Sequence, residues 1–150
     1  MQEGKKYKVG YTAGVYDLFH IGHLNLLRRA KEQCDYLIVA ISTDELVQQY
    51  KKKKPVIPFD ERKAIVEAIK YVDEVVPQTN RDKISAYEKY HFDVMFVGDD
   101  WKGSEVFEKV DAHMRERGGC VEYLSYTKNV SSTLLNGVLN KIYEDNKGVK

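Results

Sequence analysis

A chain of 150 residues, with 43% hydrophobic and 31% charged side chains, has the make-up of one soluble folding unit with a sizeable core. Its formal net charge of +1 gives no general attraction to nucleic acid, and apolar runs such as "YLIVAI" (36–41) are too short to cross a bilayer. Cys34 and Cys120 lie outside any CxxC, which disfavours structural zinc and a disulfide framework, and "MQEGKKYKVG" lacks an apolar signal core, so a reduced, cytoplasmic protein is expected.

Taken in chain order, "KYKVGYTAG" (6–14) reads as a first strand that ends in a glycine turn. An amphipathic helix follows over 22–34, where Leu24, Leu27, Ala30 and Cys34 recur at helical spacing. "DYLIVAIST" (35–43) is apolar on both faces, as a buried parallel strand should be. The lysine run Lys51–Lys54 reads as a loop. Asp60 is the expected N-cap of a helix over 60–70 with Ile65, Ala68 and Ile69 on its apolar stripe. "VDEVVP" (72–77) is a short strand, 82–90 a helix, and "DVMFVGDD" (93–100) a strand ending in glycine and acids. A helix over 104–117 stops at Gly118-Gly119, "CVEYLSY" (120–126) is the fifth strand, and a last helix starts near Ser131 with Leu134, Leu135, Val138, Leu139 and Ile142 as its stripe. Strands alternating with helices predict a single-domain α/β fold over 1–150: a doubly wound, Rossmann-like, parallel five-stranded sheet with helices on both faces.

Such sheets bind ligands beyond the carboxyl ends of their strands, near the point where strand order reverses. Here those ends are "TAGVYD", "ISTDE", "VPQTN", "VGDDW" and "LSYTKN", all rich in polar residues or glycine. The first runs into "HIGH", with His20 and His23 at the start of a helix and Gly22 between them. A helix N-terminus presents unpaired N–H groups and partial positive charge, glycine lets a phosphate approach the backbone, and imidazoles donate to phosphate oxygens. Nucleotide phosphate chemistry is therefore the expectation, since phosphoryl transfer needs positioning and charge stabilisation rather than a protein nucleophile. Binding of a transition metal lacks support: no third His or Cys stands at a useful spacing, which leaves Asp99 and Asp100 alone as possible partners. The bland alternative is that both histidines cap or pack.

"GVYDLFHIGH" (14–23) resembles the HxGH motif of the nucleotidyltransferase superfamily, its cytidylyltransferases above all, and within these the bacterial enzymes acting on glycerol-3-phosphate. Supporting segments are "LLRRAKEQCDYLIVAISTDE" (26–45), "ERKAIVEAIKYVDEVVP" (61–77), "VGDDW" (97–101) and "TKNVSST" (127–133), so the likeness runs from about Lys8 to Leu139. Class I aminoacyl-tRNA synthetases share the letters HIGH, but this chain has no KMSKS, no room for an anticodon-binding domain and no basic surplus for tRNA.

The resemblance implies transfer of CMP from CTP to a small polyol phosphate, glycerol-3-phosphate first, giving CDP-glycerol for teichoic acid or related polymers, and pyrophosphate. Mg²⁺ would come with CTP, held mainly by its phosphates, with no metal site built by the protein. By the same resemblance, His20 and His23 are catalytic and stabilise the α-phosphoryl transition state. Val15 and Tyr16 stand at nucleotide-contacting positions where the family has Thr-Phe; a backbone N–H would replace the lost hydroxyl. Asp17 matches the motif aspartate, either at the nucleotide or bracing the loop. Arg62 matches an arginine facing the nucleotide phosphates, and Asp99, Asp100 and Trp101 line the cytosine and ribose pocket. Lys51, Lys53 and Lys83 are the candidates for the acceptor phosphate, since two anionic substrates must be held against their repulsion. "YTKNVSST" matches a family R-T-x-G-I-S-T-T, which assigns Tyr126, Thr127, Lys128, Ser131, Ser132 and Thr133 to the triphosphate, with Tyr126 replacing the arginine and Asn129 the glycine. A homodimer is implied, without nucleic-acid or membrane partners, and the tail 140–150 extends past the matched region and is expected to fray. Other readings stay open: another polyol or sugar phosphate as acceptor, ATP as donor, or a catalytically silent CTP-binding module.

Overall fold

The computed structural model describes residues 5–125, 135 and 137–142. Five strands form one sheet: β1 (Tyr7–Gly14), β2 (Cys34–Ser42), β3 (Glu74–Gln78), β4 (Val94–Gly98) and β5 (Cys120–Leu124). Their order is β3-β2-β1-β4-β5, and every adjacent pair is parallel. The expected doubly wound architecture is therefore present. The chain builds outward from β1 in one direction and resumes beside it at β4, so the reversal of strand order lies between β1 and β4.

The sheet is buried on both sides because its strands are apolar on both sides. In β4, Val94 and Phe96 enter one core while Met95 and Val97 enter the other. The first core contains Leu27 and Ala30 of α1 (Ile21–Gln33) and Val66 of α3 (Phe59–Glu67). The second contains Phe107, Val110 and Met114 of α5 (Glu105–Arg115), with Ile84, Ala86, Tyr87 and Tyr90 of α4 (Lys83–Tyr90) packed against it. Gly10 sits where β1 is most crowded: a Cβ there would come within 2.6 Å of the Phe96 ring and 2.8 Å of Cys34 Sγ.

Three local expectations are corrected. A short helix, α2 (Asp44–Lys51), occupies part of the segment read as loop, so Lys51 is its last residue and Lys52 caps it in a left-handed conformation. With two turns and only Leu46 and Val47 buried, it offers too little periodicity to read from sequence. Helix α3 begins at Phe59, so the N-cap position is Pro58, and Asp60 instead places its charge in the first turn. "DDW" is a 3₁₀ turn, Asp99–Trp101, after β4 rather than the end of the strand. Leu135 and residues 137–142 are helical as expected, but Val138, Leu139 and Ile142 are about half exposed.

Candidate active site

Helix α1 begins at Ile21 because His20 and His23 close a reciprocal cap. The Gly22 amide donates to His20 Nδ1 at 3.0 Å, and the His20 amide donates to His23 Nδ1 at 3.3 Å. This is the geometry of a capping box with imidazoles in place of hydroxyl and carboxylate. It assigns the tautomers. Each Nδ1 accepts a backbone proton, so each neutral ring carries its own proton on Nε2. The bland expectation of capping therefore holds for the Nδ1 atoms, and the opposite nitrogen of His20 is the one left over for chemistry. His20 Nε2 is buried without a hydrogen-bond partner among the described residues, an arrangement tolerated where a ligand completes the bond.

The two rings stack at 3.9 Å between centroids, with Tyr16 and Phe19 each 5.2 Å from His23. Burial lowers the His20 pKa, and it lowers that of His23 to about 4, with help from the His20 charge. Both are neutral donors at neutral pH. The unfolded chain takes up a proton on His23 near 6.5, whereas the folded protein resists it down to about 4. Folding stability is thus full above about 6.5 and falls progressively as pH drops to about 4. Urea melts of wild type and His23→Gln at about pH 7.5 and 5 should show a smaller acid loss in the variant. Equal losses would contradict the depressed pKa.

The loop between β1 and α1 is strained and held. Tyr16 and Leu18 have φ of 55° and 50°, a left-handed conformation that costs non-glycine residues about 1 kcal/mol or more each. Asp17 braces the turn: its carboxylate accepts from the amides of Leu18 (3.1 Å), Val56 (2.8 Å) and Ile57 (2.9 Å). Of the two roles left open for Asp17, bracing is the one this geometry displays. The Tyr16 ring is 4% exposed and packs in the core, so its backbone is what it can offer a nucleotide.

Arg62 does not face an open phosphate site. It is 1% exposed and sits behind the loop. Its Nη1 donates to the carbonyls of Val15 (2.7 Å) and Ser42 (2.9 Å), its Nε to that of Ile57 (2.8 Å), and its Nη2 to Asp44 (2.6 Å). One guanidinium thereby ties the ends of β1 and β2 to the segment before α3. Asp44 also accepts from the Phe59 amide at 3.2 Å. Sequence reasoning missed Asp44: it belongs to the strand end "ISTDE", but no spacing links it to Arg62.

On the β4 side, Asp99, Asp100 and Trp101 are exposed, with Trp101 edge-on to Phe107 at 5.4 Å. Because β4 neighbours β1, these residues stand at the same end of the sheet as the histidines. On the β3 side lie the cations. Lys51 has its pKa lowered by burial and by Lys53, while Asp17 favours its charge. Lys83 is lowered to about 8 by burial and by Arg81, a residue absent from the expected set. Tyr126, Thr127, Lys128, Ser131, Ser132 and Thr133 lie outside the described residues.

The fold recurs in solved structures. A lipopolysaccharide core biosynthesis protein from Thermoplasma volcanium superposes with a TM-score of 0.67 at 22% identity, over 83% of this chain and 99% of that one. A pantothenate synthetase from Thermus thermophilus gives 0.53 at 14% identity, over 81% of this chain and 56% of that one. These define the fold class, a Rossmann-like α/β unit. The cytidylyltransferase-like family model matches residues 11–137, and the chain belongs to that family. It is 44% identical over 123 residues to glycerol-3-phosphate cytidylyltransferases of Staphylococcus aureus and Bacillus subtilis, covering 81% of this chain and 87% and 89% of theirs. The enzyme of that name from Bacillus spizizenii is 45% identical over the same length.

Proposed function

We propose that this protein is a nucleotidyltransferase that joins CTP and glycerol-3-phosphate into CDP-glycerol, releasing pyrophosphate. The relatives of that name, matched over most of both chains, support the substrates. One observation carries the chemistry: His20 is held as a neutral donor with a buried, unanswered Nε2–H. An oxygen of the acceptor's phosphate attacks the α-phosphorus of CTP, and the bond from that phosphorus to the bridging oxygen breaks. Negative charge accumulates on the equatorial oxygens, where Nε2–H donors stabilise it without giving up a proton. The braced loop keeps those donors in place, so they need little reorganisation as charge develops.

Asp99, Asp100 and Trp101 are proposed to receive the cytidine, and Lys51, Lys53 and Lys83 the acceptor phosphate. Arg62 is proposed to act through the loop it fastens. Mg²⁺ is proposed to arrive with CTP. Its ligands are proposed to be mainly the CTP phosphates. When bound, it neutralises phosphate charge. Among the described residues no helix is long and apolar enough to cross a membrane. A cytoplasmic homodimer that supplies CDP-glycerol for polymers of the teichoic acid kind is the fuller proposal.

Pyrophosphate release measured with each of the four ribonucleoside triphosphates and glycerol-3-phosphate tests it. CTP alone should support release, and the product should be CDP-glycerol. Preference for ATP, or activity only with another polyol phosphate, would overturn the donor or the acceptor. Tight CTP binding without release for any acceptor would leave a silent binding module.

A further inference from the structure

The basic cluster contains a residue that nothing above assigns. Arg81 follows β3 at the same end of the sheet as the histidines. Its place is set locally: the Asp82 amide donates to Asn80 Oδ1 at 2.9 Å, and Asp82 turns its carboxylate to the Ser85 amide at 3.0 Å to cap α4. The carboxylate next to Arg81 in sequence is thereby committed to a helix. The loop and α2 are joined at their roots, where the Thr43 amide donates to the Gln78 carbonyl at 3.1 Å and Ser42 Oγ to Gln78 Oε1 at 2.8 Å. The Arg81 guanidinium lies over the Tyr50 ring, 4.5 Å from its centroid, and Lys51 Nζ is 5.8 Å from the same ring.

No ion pair among the described residues involves Lys51, Lys53, Arg81 or Lys83. Lys51 and Lys83 each feel the Arg81 charge as repulsion. The carboxylate that favours the Lys51 charge, Asp17, is engaged by backbone amides. Cations gathered without a counter-charge are stabilised by an anion placed among them. A guanidinium held over an aromatic face can still offer N–H groups for a bidentate grip on phosphate.

We propose that Arg81, seated on Tyr50, is a recognition residue for the acceptor's phosphomonoester and grips it together with Lys51 and Lys83. This rests on the cytidylyltransferase reading of the site. Steady-state kinetics on the full chain test it. Arg81→Ala should raise KM for glycerol-3-phosphate by about tenfold or more, the scale of one lost charge-assisted contact, while KM for CTP stays within about twofold. Arg81→Lys should recover only part, because an ammonium has no planar fork. Tyr50→Leu should raise the same KM by a smaller factor, since it removes the platform and keeps the charge. Thermal melts check that each variant is folded. An unchanged acceptor KM in Arg81→Ala, or an equal rise for CTP, would overturn the proposal. Wild type that releases no pyrophosphate would instead overturn the underlying reading, and this proposal with it.

Discussion

Replacing His20 with alanine should lower kcat at least about 100-fold, the usual consequence of removing one donor aimed at developing charge. The expectation follows from which nitrogen does what. Nδ1 holds the first turn of α1 through the Gly22 amide, and Nε2 is the buried donor without a partner among the described residues. Alanine removes both, and loss of the cap alone costs about 1 kcal/mol of stability. His20→Asn separates the two roles. An asparagine oxygen can accept from the Gly22 amide, so the melting temperature should recover most of its loss. Its shorter amide cannot place a donor where Nε2–H lies, so kcat should stay low. If His20→Asn restored turnover as well as stability, the histidine would be a cap and nothing more.

The largest stability effect should come from Arg62. Removing one member of a buried charged network costs about 3–5 kcal/mol, because the groups left behind are desolvated and unpaired. In Arg62→Met these are the carbonyls of Val15, Ser42 and Ile57, together with Asp44. For a domain of this size each kcal/mol lowers Tm by roughly 2–4 °C, so a fall of roughly 6–20 °C is expected. Arg62→Lys should rescue little, since a single ammonium cannot reach partners lying in several directions. A lysine variant that melts with wild type would show that charge alone suffices. The histidines open the helix into which the loop fastened by Arg62 runs, so kcat should fall in Arg62→Met even at temperatures where it stays folded.

Much of this was legible in the chain. The strands "DYLIVAIST" and "DVMFVGDD" are apolar on both faces, which only a sheet covered on both sides can satisfy, and their alternation with helical segments dictates parallel order. In a parallel sheet ligands are expected beyond the carboxyl ends, and the HxGH letters follow the first of them. The family followed from short-range pattern: motif histidines, "VGDDW" and "TKNVSST" in one chain of 150 residues.

Side-chain roles were less legible, because they depend on contacts between residues distant in sequence. Arg62 looked like a first-turn cation free to meet phosphate. Only the packing of α3 beneath the loop turns it inward to Val15, 47 positions away, and to Asp44. Asp17 could have met the nucleotide; its oxygens accept from Val56 and Ile57, some 40 positions on. Arg81 carries no motif at all, and its placement on Tyr50 exists only because β2 and β3 are neighbours. Periodicity and local motifs act over a few residues, so the sequence alone determined the five strands, the longer helices between them and the parallel sheet they build, but not the short helix α2. Which charges are buried, which ring nitrogens cap the helix and which cations gather without an ion pair among the described residues depend on burial and distance, and the tertiary structure decided them.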